Sequence, residues 1–178
     1  MMSKQRTSSR RILVAMVKAK VLPQLHARGF SAIPQRKEPI PMWDFNRPRP
    51  DGGYDVISVI FDEKWSPRFY AIINIVEPAG VSYPWGESIP PQRVTAATLL
   101  DRVFVRKKNV GILALLFPRW FSHTWFGCEP QKDANTDTRE AERACEAFVA
   151  CLDEAEHWWR TGELGPHLTQ VTAARKRE

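Results

Sequence analysis

"PDGGYDVISVIF", residues 50–61, sets a glycine-bearing turn directly before eight residues rich in β-branched and aromatic side chains. Pro50 to Gly53 is the chemistry that joins two antiparallel strands. In a strand over 54–61, Tyr54, Val56, Ser58 and Ile60 share one face, and Asp55, Ile57, Val59 and Phe61 share the other. Both faces are mostly apolar. A strand of that kind is covered on both sides and belongs in the middle of a sheet.

Working outward, "FSAIPQ" (30–35), "MWDFNRP" (42–48) and "RFYAIINIV" (68–76) read as further strands, with "KWSPR" (64–68) as a second hairpin turn. Upstream, Leu13, Val14, Val17, Val21, Leu22 and Leu25 recur at three and four, which predicts an amphipathic helix over Arg10 to Arg28. Pro23 is expected to kink it, and Gly29 to end it in a left-handed turn. Downstream, Ala141, Cys145, Phe148, Leu152, Ala155 and Trp159 form one apolar stripe, with Asp137 and Glu140 as a capping-box variant at its start. A helix over 138–160 is roughly 33 Å long, enough to cross a small sheet. The fold class is therefore α+β, a single domain with an antiparallel sheet of about four to six strands under an N-terminal and a long C-terminal helix. Residues 1–9 are expected as a disordered basic tail, 10–165 as the domain, and 166–178 as a flexible basic tail.

Between the sheet and the last helix, "EPAGVSYPWGESIPPQ" (77–92) has neither helical nor strand period and reads as a long loop of the kind that often carries function. Thr95 is expected to cap a short helix running through Val103, followed by the basic "RKK" at 106–108.

Composition narrows the function classes. Of the 178 residues 43% are hydrophobic and 26% charged, an ordinary globular balance. The longest apolar run, Val110 to Phe117, falls far below the roughly 18–20 residues of a membrane span. "ILVAMV" after a basic stretch is interrupted by Lys18 and Lys20 and lacks a small-residue cleavage site, which speaks against a secretory signal; an Arg/Ser-rich, acid-free start also suits an organellar transit peptide. Three cysteines, Cys128, Cys145 and Cys151, contain no CxxC pair and point to a reducing compartment, with the cytoplasm as the expected location.

The net charge of +6 is unevenly placed. Residues 1–37 hold nine Lys/Arg and no acid, whereas the body from 38 to 174 is net acidic. Lys4, Arg6, Arg10 and Arg11 are therefore the candidates for a non-specific nucleic-acid contact. A stacking platform is missing there, since Phe30 is the only aromatic residue in the basic segment.

"PRWFSHTWFG" (118–127) gathers four aromatic residues around one arginine and one histidine. As a strand it presents Arg119, Phe121, His123 and Trp125 on one face and Trp120, Ser122, Thr124 and Phe126 on the other. Arg119, His123 and Trp125 suit an anionic or planar ligand through charge-assisted hydrogen bonds and cation–π contact. The plainer reading makes the stretch mainly core, with Arg119 and His123 at its open edge. No cofactor and no metal are expected: His26, His123, His157 and His167 make no recognised ligand pair beyond the single Glu154/His157 ExxH. Phosphate loops and nucleophile elbows are lacking from the sequence, so an enzyme is the less favoured class. Trp85 in the loop and Trp158 beside the helix stripe are candidate anchors for a protein partner. The helix stripe also suits a homodimer almost as well as a sheet cover.

The order of an amphipathic helix ending at Gly29-Phe30, a turn, and a strand opening Arg68-Phe69-Tyr70 resembles the bacterial family catalogued as domain of unknown function 4304, over residues 10–76. The resemblance implies an α+β fold with an antiparallel sheet and supplies no catalytic residue or cofactor. Small α+β proteins of this kind often act as stoichiometric binders, immunity-type inhibitors among them. The expectation is a non-enzymatic protein-binding module, with a nucleic-acid-associated protein and a small-ligand binder or enzyme at Arg119/His123 as alternatives.

Overall fold

The computed structural model of the chain describes residues 2–34, 42–62, 67–108, 123–127 and 134–172. Its centre is a seven-stranded antiparallel sheet: β1 (Ser31–Ala32), β2 (Met42–Pro48), β3 (Tyr54–Phe61), β4 (Arg68–Val76), β7 (Arg102–Val105) and β11 (Leu168–Val171) in that spatial order, with β10 (Phe126–Gly127) also paired to β4. β3 lies inside the sheet, and every residue after Tyr54 in it is buried. Two-sided covering, as its sequence demands, is the reason. The β2–β3 turn closes through Arg49 N–H to the Gly53 carbonyl at 2.9 Å, with Gly52 at φ +88°. A Cβ on Gly53 would strike the Val76 carbonyl, so the second glycine is required by the close passage of β4. Residues 63–66, within the expected "KWSPR" hairpin, lie outside the described residues; the β3–β4 pairing is continuous from Tyr54↔Val76 to Phe61↔Phe69.

Both long helices cover one face of the sheet. α1 (Met2–Met16) continues through a π-helical turn, Val17–Val21, into α2 (Leu22–Ala27). Pro23 has no N–H, and its ring would meet the carbonyl four residues back in a regular helix. The wider turn accommodates it, with Leu22 N–H bonded to the Val17 carbonyl. Leu13, Val17, Val21 and Leu25 are all fully buried, and Gly29 at φ +84° ends the helix. α3 (Ala134–Thr161) lies beside α1, and its Ala141, Cys145, Phe148, Leu152, Ala155 and Trp159 enter the same core as Ile57, Val59, Phe69, Ala71, Ile73, Val103 and Val105 of the sheet.

The ends differ from the expectation. Residues 2–9 are helical rather than disordered, and Ser9 is fully buried, donating its hydroxyl to Asp137 of α3 at 2.6 Å. At the other end Leu168 is buried and β11 pairs with β7 across Leu168↔Val105 to Val171↔Arg102, so 168–171 belong to the sheet. Residues 173–178 lie outside the described residues. The segment after Thr95 is also not a helix through Val103: one 3-10 turn, Ala96–Thr98, leads directly into β7. "RVFVR" alternates, and its apolar residues find β4 and β11 on either side, a non-local gain that outweighs local helix preference.

The opposite face of the sheet is covered by the segment 77–101. Val56, Ile60, Ile72 and Val76 project there and pack with Val94 and Ala96, flanked by Tyr54, Tyr70, Phe104, Val81 and Ile89. Among the described residues no helix is long and apolar enough to cross a membrane.

Candidate functional site

Two features of this second face carry exposed or open chemistry. The first is a short β-ribbon within the expected loop. β5 (Val81–Ser82) pairs with β6 (Ser88–Ile89), and the tip closes through Tyr83 N–H to the Glu87 carbonyl at 2.8 Å and Gly86 N–H to the Tyr83 carbonyl at 2.9 Å. Gly86 takes φ +90°, which a larger residue resists. Tyr83 and Trp85 stack at the tip with centroids 4.5 Å apart and planes 10° from parallel, and the Trp85 indole donates to Glu87 at 3.2 Å. Trp85 stays 70% exposed. Val81 and Ile89 pack against the outer core cluster, so the ribbon is seated on the sheet.

The second feature is a cleft of about 480 Å³ between the sheet and the 96–102 segment, lined by Met42, Ile60, Ile72, Ala97, Tyr70, Trp125, Arg68, Asp62 and Arg102 among others. The strand period builds it. Arg68, Tyr70 and Ile72 alternate with the core-facing Phe69, Ala71 and Ile73, and Arg102, Phe104 and Arg106 alternate with Val103 and Val105. Trp125 meets Tyr70 edge-on at 4.4 Å, and the Arg68 guanidinium lies over Trp125 at 5.1 Å while donating to Asp62. Arg102 is half-buried and bonded through Nε to the Leu99 carbonyl at 2.8 Å. Arg106 sits over Phe104 at 4.3 Å and Tyr70 at 5.9 Å. Burial lowers its pKa from the ordinary guanidinium value, with Tyr70 pulling the other way.

The sequence candidates separate in space. Trp125 joins the cleft, whereas Phe126 on the other face is buried against Phe69 and Phe148 at 5.6 and 5.3 Å. Core and pocket are thus adjacent residues of one stretch. The backbone of His123 pairs with Lys108 in the β8 (Lys107–Lys108) to β9 (His123–Thr124) ladder, and Arg119 lies outside the described residues. Trp158 is not an exposed anchor: it is only 8% exposed. Ala144, Cys151 and Trp158 form a second buried seam at seven-residue spacing beside the first, so the buried face of α3 is wider than one stripe. Lys4, Arg6, Arg10 and Arg11 all lie on α1, with Arg11 exposed and Arg10 partly buried. Asp55, Asp62 and Glu63 flank the apolar strand, where carboxylates are solvated turn residues by default; Asp55 and Asp62 are instead buried in ion pairs with Arg47 and Arg49, and with Arg68.

Two of the histidines are paired with carboxylates. Glu154 accepts from the His167 backbone at 3.0 Å and contacts its Nδ1 at 2.5 Å, while His157 lies 3.0 Å from Glu163. No cluster of three or more metal-ligating side chains occurs among the described residues. Cys145 and Cys151 are buried thiols outside any disulfide, and burial pushes Cys151 up to about 12. Its thiol donates to the Ala147 carbonyl at 3.2 Å. Cys151 is therefore expected to alkylate with iodoacetamide at pH 8 at least about a hundredfold more slowly in the native protein than in urea, by peptide mapping. Comparable native and unfolded rates would mean that the seam is open.

The cleft residues Met42, Arg68, Tyr70 and Arg102 escaped sequence reasoning. Their one signal is the shared face of "RFYAI" and "RVFVR", which has meaning only once those strands are known to pair. Comparison with known proteins finds no matching family model, no matching curated protein and no matching solved structure. The class that stands is an α+β protein with an antiparallel sheet and two helices on one face.

Proposed function

We propose that the chain is a protein-binding module, a stoichiometric adaptor or immunity-type inhibitor, that engages its partner through the 81–89 ribbon. The supporting observation is Trp85: a large aromatic side chain held in one orientation by a stacked tyrosine and an indole hydrogen bond, yet left in water. Ordering a side chain before binding removes part of the entropy cost of association, and exposed tryptophan is the residue type richest in binding energy. Leu100, 77% exposed, adds a second apolar side chain on the same segment of chain. The proposal extends to kinship with the domain-of-unknown-function 4304 family, which rests on the Gly29-Phe30 and Arg68-Phe69-Tyr70 positions of the sequence.

Trp85 touches nothing in the core, so its removal separates binding from folding. Trp85→Ala is expected to reduce recovery of the partner from nuclease-treated native lysate by at least about tenfold while shifting the thermal midpoint by no more than about 2 °C. Unchanged recovery would remove the ribbon from the interface.

A further inference from the structure

The cleft has a property that the ribbon does not share: its charges do not cancel. Arg68 is matched by Asp62. Arg102 is matched by no carboxylate among the described residues, and its one hydrogen bond, from Nε to the Leu99 carbonyl, leaves the terminal nitrogens of the fork available. Arg106, one residue beyond β7, is likewise without an acidic partner among the described residues. Beneath these groups the floor is apolar, made by Met42, Ile60, Ile72 and Ala97, and Tyr70 with Trp125 forms an aromatic wall.

A half-buried guanidinium with open donors beside an apolar cavity selects one kind of occupant. An apolar body gains by leaving water onto the floor, and a single acid group gains a bidentate, charge-assisted bond that a neutral group cannot make. A polyanion gains less, because Arg68 and Asp62 already cancel and the lining is left with the single positive charge of Arg102. The volume matches a small molecule rather than a polymer chain. We propose that this cleft binds a small organic monoanion, a carboxylate on an apolar body, with Arg102 gripping the acid and the Met42/Ile60/Ile72 floor taking the body. The site is independent of the ribbon, since no residue of 81–89 lines it.

The test titrates the full chain by calorimetry with naphthoate, with octanoate and with naphthamide, the neutral match of the first. At least one acid is expected to bind one equivalent, with naphthoate at least about tenfold tighter than naphthamide if the aromatic acid is the occupant, and octanoate the tighter of the two acids if the source is aliphatic. Arg102→Met, with its thermal midpoint recorded, is expected to weaken the bound acid by at least about tenfold and to leave naphthamide unchanged. The comparison of naphthoate with its amide on the native chain needs no variant, so a failure of Arg102→Met to fold does not blunt the test. The proposal is overturned if neither acid binds at millimolar concentration, if naphthoate and naphthamide bind alike with octanoate silent, or if folded Arg102→Met retains full affinity for the acid.

Discussion

Phe148→Ala is expected to lower the free energy of unfolding by about 3–5 kcal/mol, the range for deleting a large aromatic side chain from a packed core. Phe148 is fully buried on α3, and its ring lies 5.3 Å from both Phe69 on β4 and Phe126 on β10. Phe69 in turn meets Phe61 of β3 at 5.9 Å. One side chain therefore joins the long helix directly to two strands and, through Phe69, to a third, and the cavity left behind is walled by rigid rings that cannot collapse into it. In a chain of this length the thermal midpoint should fall by roughly 10 °C. Phe148→Leu, which keeps most of the volume, should cost about a third as much. A loss below about 1 kcal/mol for the alanine variant, measured by urea unfolding, would mean that α3 does not sit on the sheet in this register.

Arg47→Met is expected to cost about 2–3 kcal/mol although it preserves most of the side-chain volume, because breaking a partly buried ion network leaves charge without a partner. Arg47 bonds Asp55 at 2.7 Å and Glu156 at 2.8 Å, and its guanidinium lies over Phe30 at 4.6 Å and Trp159 at 5.4 Å. Burial opposes its charge, but the hydrogen bonds it donates to Glu156 and Asp55 prevail and hold its pKa above the ordinary guanidinium value. The substitution keeps an apolar stem against the two rings, so the measured loss belongs to the charge. Arg49, which also bonds Asp55 at 2.9 Å, keeps that carboxylate from being orphaned and sets the figure at the lower end for a buried pair. The double variant Arg47→Met/Glu156→Gln should cost less than the sum of the two single changes. Strict additivity in a double-mutant cycle would show that the contact between β2 and α3 is incidental.

Much of this architecture is legible from local pattern. The strands at 42–48, 54–61 and 68–76 and the helical stop at Gly29 follow from β-branched runs and glycine punctuation, signals that act within a few residues. What escaped depends on partners distant in sequence. β7 contains residues that alternate like a strand within a segment that begins like a helix, and pairing with β4 and β11 decides between them. Trp158 lies off the stripe through Phe148 and reads as exposed, yet it is buried in the same core as the stripe, a gain that only the tertiary packing supplies. Asp55 and Asp62 read as solvated ends of a strand because their arginine partners sit 8 and 6 residues away on neighbouring strands. The cleft is the extreme case, since Met42, Arg68, Arg102 and Trp125 come from four separate segments and share no motif. The 118–127 stretch drew attention by its aromatic density, and the fold divides its described part between core at Phe126 and cleft at Trp125.

The proposed working surface is the ribbon seated on the sheet face away from the helices. The most direct measurement places the photo-crosslinking residue p-benzoylphenylalanine at position 85 or, as a control, at the exposed Arg160 on α3, and irradiates cells expressing each full chain. A single dominant protein adduct from position 85, with none from position 160, is the predicted result. An adduct formed from position 160 but not from position 85 would contradict it and move the interface to the helical face.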